Sequence, residues 1–277
     1  MNKKLMQNAL ENIVKEASFS LRKDVSKLLR QAYSREKNKR AKKALAWILD
    51  NAKIAKKESL AICQDTGLPV IFVEAGKDVT INSSLVDTIK KGVEIGYRKN
   101  YLRPSIVDPL RRGKSFYKGA ICHLDFSPNI KGLKVTILPK GFGSENKSQL
   151  KMFNPTTSLE KIEEFVVETV KKAGPEGCPP FVVGVGIGGT SDYALLLAKK
   201  ALLEKIDRPN PDKFLNSLEK KLLKKINLLK IGPMGLGGNS TALAVKIKKA
   251  PTHIAGLPVG VNISCHALRS ATVALKS

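Results

Sequence analysis

Residues 181–203 read FVVGVGIGGTSDYALLLAKKALL. Phe181 to Ile187 is an apolar run broken by Gly188 and Gly189, and from Ser191 onward the apolar residues fall at helical spacing. A short apolar run bounded by glycine predicts a buried strand, and the pattern after it predicts an amphipathic helix. A strand that turns directly into a helix is the building unit of a mixed α/β sheet. Gly184, Gly186 and Gly189 also satisfy G-x-G-x-x-G between strand and helix, the setting of a dinucleotide-binding loop. The second requirement of that loop fails. The nearest acidic residue at the right distance, Asp207, lies in the proline-broken EKIDRPNPD, so no nicotinamide cofactor is expected.

The flanking sequence extends this reading in both directions. Toward the C-terminus, a helix (PDKFLNSLEKKLLKKINLL) leads to a second glycine loop, GPMGLGGNS. Two strands follow, TALAVKIKKA and LPVGVNISC, with PTHIAG between them. Toward the N-terminus, Ser158 caps a helix that ends at Gly174, and the loop KGFGSENKS (140–148) precedes it. AICHLDF (120–126) and LKVTILP (133–139) read as neighbouring strands separated by the turn-rich SPNIKG. A further strand is predicted at VIFVEAG (70–76), a helix over Ser84 to Tyr97, and two or three helices over residues 1–58. The first of these helices presents Leu5, Ala9, Ile13 and Ala17 along one face. The expected fold class is mixed α/β, with an N-terminal helical region (1–58) followed by an α/β sheet region (59–277) whose glycine-rich loops surround a site. Together they are expected to form one catalytic domain.

Composition narrows the function classes. The chain has 277 residues, 42% of them hydrophobic, which is enough to bury a substantial core. No apolar stretch approaches the roughly 18 residues of a membrane span. The N-terminal residues lack an apolar signal core, so a cytoplasmic protein without membrane contact is expected. A net charge of +25 would ordinarily suggest a nucleic-acid partner. However, the basic residues are 39 Lys against 10 Arg, spread along the whole chain, and aromatic residues make up 5%. Base readout favours Arg, and single-strand binding favours aromatic platforms, so no nucleic-acid partner is expected.

The four cysteines, Cys63, Cys122, Cys178 and Cys265, are far apart and form no CxxC pair, which argues against a zinc ribbon. A disulfide framework is equally unexpected in a long chain read as cytosolic. Cys63 stands before Gln64, Asp65, Thr66 and Gly67, where Asp-Thr-Gly is turn chemistry. Cys178 sits in GCPP before the buried strand, and Cys265 closes the strand pattern VGVNISC. Cys122 lies within a strand pattern and is expected to pack. Three thiolates at element ends, with no fourth ligand, suit an iron–sulfur cluster with one open iron. By residue type alone, small buried thiols and a turn-capping Asp65 fit equally well.

Six segments in order carry a resemblance over about residues 5–270: CQDTGLPVIFVE, LRPSIVDP (102–109), KGFGSENKS, CPPFVVGVGIGGTSD, IGPMGLGGNSTAL and PTHIAGLPVGVNISC. Together they closely resemble the α subunit of two-subunit class I fumarate hydratases. The resemblance implies a [4Fe-4S] cluster held by Cys63, Cys178 and Cys265, with fumarate or malate as substrate. It implies that Gln64 and Asp65 line the substrate, Asp65 as a proton donor to the departing hydroxyl. Arg103 is matched to a substrate-carboxylate contact, Gly143 to a backbone approach to substrate, and His253 to a catalytic histidine. No base for the carbon proton and no second cationic clamp is evident. In the family these come from a β subunit, so an obligate complex is expected, assembled as a dimer of α–β pairs, and the chain alone is expected to be inactive. The sequence departs from the family at the basic loop LRRGKSFYKGA (110–120), at Ala244, and in having one arginine, Arg269, after the last cysteine where the family often shows a basic pair. An L-tartrate dehydratase α subunit is the alternative within the superfamily, and a basic non-catalytic binding protein the alternative outside it.

Overall fold

The computed structural model describes residues 3–276. In chain order its elements are α1 (Lys3–Phe19), α2 (Lys23–Arg35), α3 (Lys39–Glu58), β1 (Leu68–Ala75), α4 (Ser83–Lys99), β2 (Ile106–Asp108), β3 (Arg112–Phe116), β4 (Ile121–Phe126), β5 (Leu133–Lys140), α5 (Phe142–Glu145) and β6 (Gln149–Phe153). They continue with α6 (Leu159–Ala173), β7 (Phe181–Gly189), α7 (Ser191–Ala201), α8 (Lys213–Asn227), β8 (Ala242–Thr252), β9 (Leu257–Ser264) and β10 (Ala271–Leu275). The mixed α/β class and the N-terminal helices are as expected. The chain divides into two compact units. The first comprises residues 1–22, 52–142 and 269–277, and the second 23–51 and 143–268. Helix α1 packs in the first unit's core, whereas α2 belongs to the second unit, where its Asp24 carboxylate accepts from Ile206 N at 2.9 Å.

In the first unit, the sheet order is β10-β5-β1-β4. Strand β1 has five consecutive buried residues because it is central and covered on both faces. Helix α1 buries Met6, Leu10, Ile13, Val14 and Ala17, while Leu5 is 68% exposed. The apolar stripe is therefore rotated from the one predicted, because Leu10 and Val14 pack against Gly92 and Gly96 of α4. A Cβ at either glycine would lie within 2.9 Å of those side chains. Strands β4 and β5 are not hydrogen-bonded neighbours. β1 lies between them, parallel to β4 and antiparallel to β5. The SPNIKG loop passes over the end of β1, where Ser127 donates to Ala75 O and Gly76 donates to Gly132 O. Strands β2 and β3 form a separate hairpin, of which β3 lies in the basic 110–120 region.

In the second unit, the order is β6-β9-β7-β8, with β7 parallel to β8 and antiparallel to β9. Helices α7 and α8 form the crossover that a parallel pair requires. The glycines of FVVGVGIGG serve this packing. A Cβ on Gly184 would sit 2.1 Å from Ala198 O, and one on Gly186 2.0 Å from Ala194 O, so the helix backbone lies directly on the strand. Ser158 occupies the N-cap of α6 without a side-chain cap bond, and Gly174 ends that helix at φ 53°. Inside the unit, Glu219 takes hydrogen bonds from Lys246 Nζ (2.9 Å), Asn210 Nδ2 (2.7 Å) and Ile247 N (2.9 Å). Both charged side chains of that pair are buried. Among the described residues no helix is long and apolar enough to cross a membrane.

Candidate active site

The Cys63–Gly67 segment is a bend that runs into β1. Gly67 has φ 81°, and a Cβ there would lie 2.7 Å from the Pro139 backbone, so the turn closes tightly on β5. The Asp65 carboxylate holds two loops. Its Oδ1 accepts from Gly67 N at 3.0 Å and its Oδ2 from Phe142 N at 2.8 Å. Cys63 Sγ donates to Gln64 Oε1 at 3.4 Å, and the Gln64 side chain is exposed. Arg103 is also exposed. Its backbone N–H donates to Thr66 Oγ1 at 3.1 Å, and its guanidinium reaches Gln64 O at 3.5 Å.

The remaining carbonyls of the turn have partners as well. Arg269, only 4% exposed, donates from Nη2 to Asp65 O. The Tyr97 hydroxyl lies 3.2 Å from Thr66 O and 3.3 Å from Gly67 O. Burial pushes the Tyr97 phenol far above its ordinary range; Arg269 pulls the other way and Asp65 adds to the rise. Tyr97 therefore acts as a fixed donor. Four successive carbonyls, Gln64 to Gly67, thus face donors from Arg103, Arg269 and Tyr97. Neither Tyr97 nor Arg269 was assigned a site role from sequence. The buried helical position of Tyr97 reads as core, and Arg269 reads only as half of a missing pair.

In the second unit, Cys178 has left-handed backbone (φ 57°, ψ 66°) at the end of a short helical turn, Pro175–Gly177. Its carbonyl accepts from His266 N at 3.2 Å and lies 3.1 Å from His266 Nδ1. The residue after Cys265 is thereby tied to Cys178. Lys147 of the KGFGSENKS loop pairs with Glu176, and this pairing holds the Glu176 carboxyl below the usual range. Glu145 of the same loop pairs with Lys199 at 2.5 Å and accepts from Asn262 Nδ2 at 2.8 Å. Gly143 is exposed, and the nearest atom to a Cβ there would be Glu176 O at 3.8 Å, an ordinary contact. His253 is exposed in the β8–β9 turn, where its Nδ1 accepts from Ala255 N at 3.1 Å. That bond leaves the ring proton on Nε2.

Among the described residues the four cysteines are half-buried and none is in a disulfide. Cys122 packs on the first unit's core, and burial raises its thiol pKa. Cys63 belongs to the first unit, Cys178 and Cys265 to the second. Among the described residues no group of three or more His, Cys, Asp or Glu side chains is set to hold a metal ion. The family model for fumarate hydratase (Fumerase) matches residues 7–274. The chain belongs to this family. As a member of the fumarate hydratase family, it falls among hydro-lyases, the enzyme class expected from its sequence. A Methanocaldococcus jannaschii protein, provisionally named L(+)-tartrate dehydratase subunit alpha, is 43% identical over 98% of each chain. The L(+)-tartrate dehydratase subunit alpha of Escherichia coli K12 is 31% identical over 98% of this chain and 92% of its own. A Geobacillus stearothermophilus protein, provisionally named class I fumarate hydratase, is 33% identical over 95% of this chain but 54% of its own length.

Proposed function

We propose that this fumarate hydratase family member is the α subunit of an iron–sulfur hydro-lyase that interconverts fumarate plus water and (S)-malate. The observation that carries the reading is the Cys63–Gly67 turn. Successive residues there offer a thiol, an amide and a carboxylate, while their carbonyls are held by surrounding donors. Cys63, Cys178 and Cys265 would hold a [4Fe-4S] cluster, for which cysteine thiolates are the soft donors required. When bound, the cluster supplies an open iron that acts as a Lewis acid toward the hydroxyl oxygen.

The chain's own residues do the rest. Each Asp65 carboxylate oxygen accepts one backbone N–H and keeps a further lone pair, so Asp65 can still exchange a proton at the hydroxyl oxygen. The exposed Arg103 guanidinium is a planar fork suited to a carboxylate. Gln64 orients the substrate by hydrogen bonding, and the exposed Gly143 admits it. His253, whose Nδ1 accepts from Ala255 N, offers its Nε2–H as a hydrogen-bond donor.

The carbon proton and the far carboxylate are left to a β subunit in an obligate complex, assembled as a dimer of α–β pairs. Two features support a partner. This chain matches nearly the whole length of relatives named subunit alpha, but only 54% of the relative named without a subunit. A second reading, L-tartrate dehydratase, is favoured by the names of the Methanocaldococcus jannaschii and Escherichia coli relatives. The test uses the chain co-produced with its β partner and reconstituted anaerobically, assayed on malate, fumarate and L-tartrate. Malate turnover is expected, with iron and sulfide lost in Cys63→Ser, Cys178→Ser and Cys265→Ser and kept in Cys122→Ser. Tartrate turnover alone would establish the second reading, and a wild-type pair that binds no iron overturns both.

A further inference from the structure

We propose that Arg269 is a positioning residue for Asp65, holding the carbonyl side of the 63–67 turn so that the Asp65 carboxylate keeps a fixed place. The inference rests on the hydro-lyase reading for its catalytic consequence, but not for its geometry. Arg269 is 4% exposed, its Nε is buried with no partner, and among the described residues no carboxylate pairs with it. Among the described residues its one hydrogen bond goes to Asp65 O. A buried cation without a counter-ion is costly, and an apolar side chain of similar size would fill the site more cheaply. What only the guanidinium supplies there is a charged donor to this carbonyl.

The neighbouring bonds show why that donor matters. Tyr97 has one hydroxyl proton for two carbonyls, Thr66 O and Gly67 O, so it cannot also serve Asp65. The Arg103 guanidinium is exposed and its contact is long, at 3.5 Å. Arg269 is therefore the buried, charged anchor of the turn. Without it the Asp65 backbone can rotate, and the bonds from Gly67 N and Phe142 N to its carboxylate loosen together.

The test is a double-substitution cycle in the reconstituted complex, joined to hydrogen exchange on the full chain. Arg269→Met is expected to lower kcat by about 10- to 100-fold, the scale of a small misplacement of a reacting group, with KM changed by less than about threefold. Arg269→Lys should recover part of the loss. In an Asp65→Asn background, Arg269→Met should have no further effect, because both changes act through one carboxylate. Amide exchange at Gly67 and Phe142 should quicken in Arg269→Met, while the Val183 amide in β7 keeps its wild-type rate. Losses that multiply in the Asp65→Asn background, or unchanged exchange at Gly67 and Phe142, overturn the proposal. If Arg269→Met does not fold, the exchange of Arg269→Lys decides by the same two amides. The exchange result stands whether or not the complex turns over malate or tartrate, so failure of the hydro-lyase reading is told apart from failure of this one.

Discussion

Replacing Gly186 with Ala tests whether the glycines of FVVGVGIGG exist for helix packing. The added Cβ would meet Ala194 O at 2.0 Å, Ala198 N at 2.6 Å and Leu197 Cβ at 2.8 Å. Two of these are backbone atoms of α7, so none can swing aside as a side-chain tip could. To reach even 3.0 Å from Ala194 O, α7 must retreat by 1.0 Å (3.0 minus 2.0). That movement lifts Ala194 and Ala198, both fully buried, off β7 and β9. Overpacking of this kind costs about 1–3 kcal/mol, more than the few tenths to one kcal/mol that Gly→Ala gains by restricting the unfolded chain. The melting temperature should fall by roughly 3–10 °C for a protein of this size. Urea unfolding followed by circular dichroism should show a lower midpoint with an unchanged slope. Gly143→Ala is the contrast. Its nearest neighbour would be 3.8 Å away, so stability should stay within about 0.5 kcal/mol of wild type while turnover by the reconstituted pair falls. An unchanged midpoint in Gly186→Ala would refute the packing argument.

Two further perturbations follow from buried charge. Glu219→Ala leaves Lys246 buried without its carboxylate and removes the acceptor of Ile247 N, which should cost about 3–5 kcal/mol in urea unfolding. Glu219→Leu combined with Lys246→Met should recover most of that loss, and a double variant as unstable as the single would count against the pairing argument. Burial opposes ionisation of Glu163, but hydrogen bonds from Lys221 and Lys225 outweigh it and hold the carboxyl below its usual range. Its folded pKa is thus lower than its unfolded one, so its contribution is fully present above the ordinary carboxylate value of about 4.3 and is lost as pH falls through the folded value. Glu163→Gln should be less stable at neutral pH and lose stability less steeply below about pH 4.3; an acid limb parallel to wild type in urea midpoints would contradict this.

Most long elements were legible because their periodicity is strong: β7, α7, α6 and α8 lie within a few residues of their predicted places. The misses have physical causes. β6 and β10 are five-residue edge strands whose pairing partners lie far away in sequence, so no local pattern marks them. The face of α1 was misread because Leu5-Ala9 and Met6-Leu10 offer competing i, i+4 stripes, and only the glycines of α4 decide between them. The placement of β1 between β4 and β5 depends on a loop passing over a strand end. At the candidate site, Cys63 and Asp65 announced themselves through turn chemistry. The anchoring roles of Tyr97 and Arg269 did not, because a backbone carbonyl as the target of a side chain leaves no trace in the residue types around it.

The order in which the elements leave the ribosome differs from the order in which they can be completed. The second unit is fully encoded by residue 268, whereas the first, begun by α1, waits for residues 269–277. Until β10 emerges, β5 has no partner on one side, and Thr136 lacks the Thr272 hydroxyl that meets it at 2.9 Å. Arg269 arrives in the same segment. A nascent chain therefore exposes the free edge of β5, with Val135 and Ile137 on it, until residues 271–275 have emerged, and an open strand edge is where chains pair wrongly. Ribosome-bound chains that carry a spacer long enough to clear the exit tunnel, joined after residue 268 or after residue 276, should differ sharply in protease resistance of the first unit, and hardly at all in that of the second.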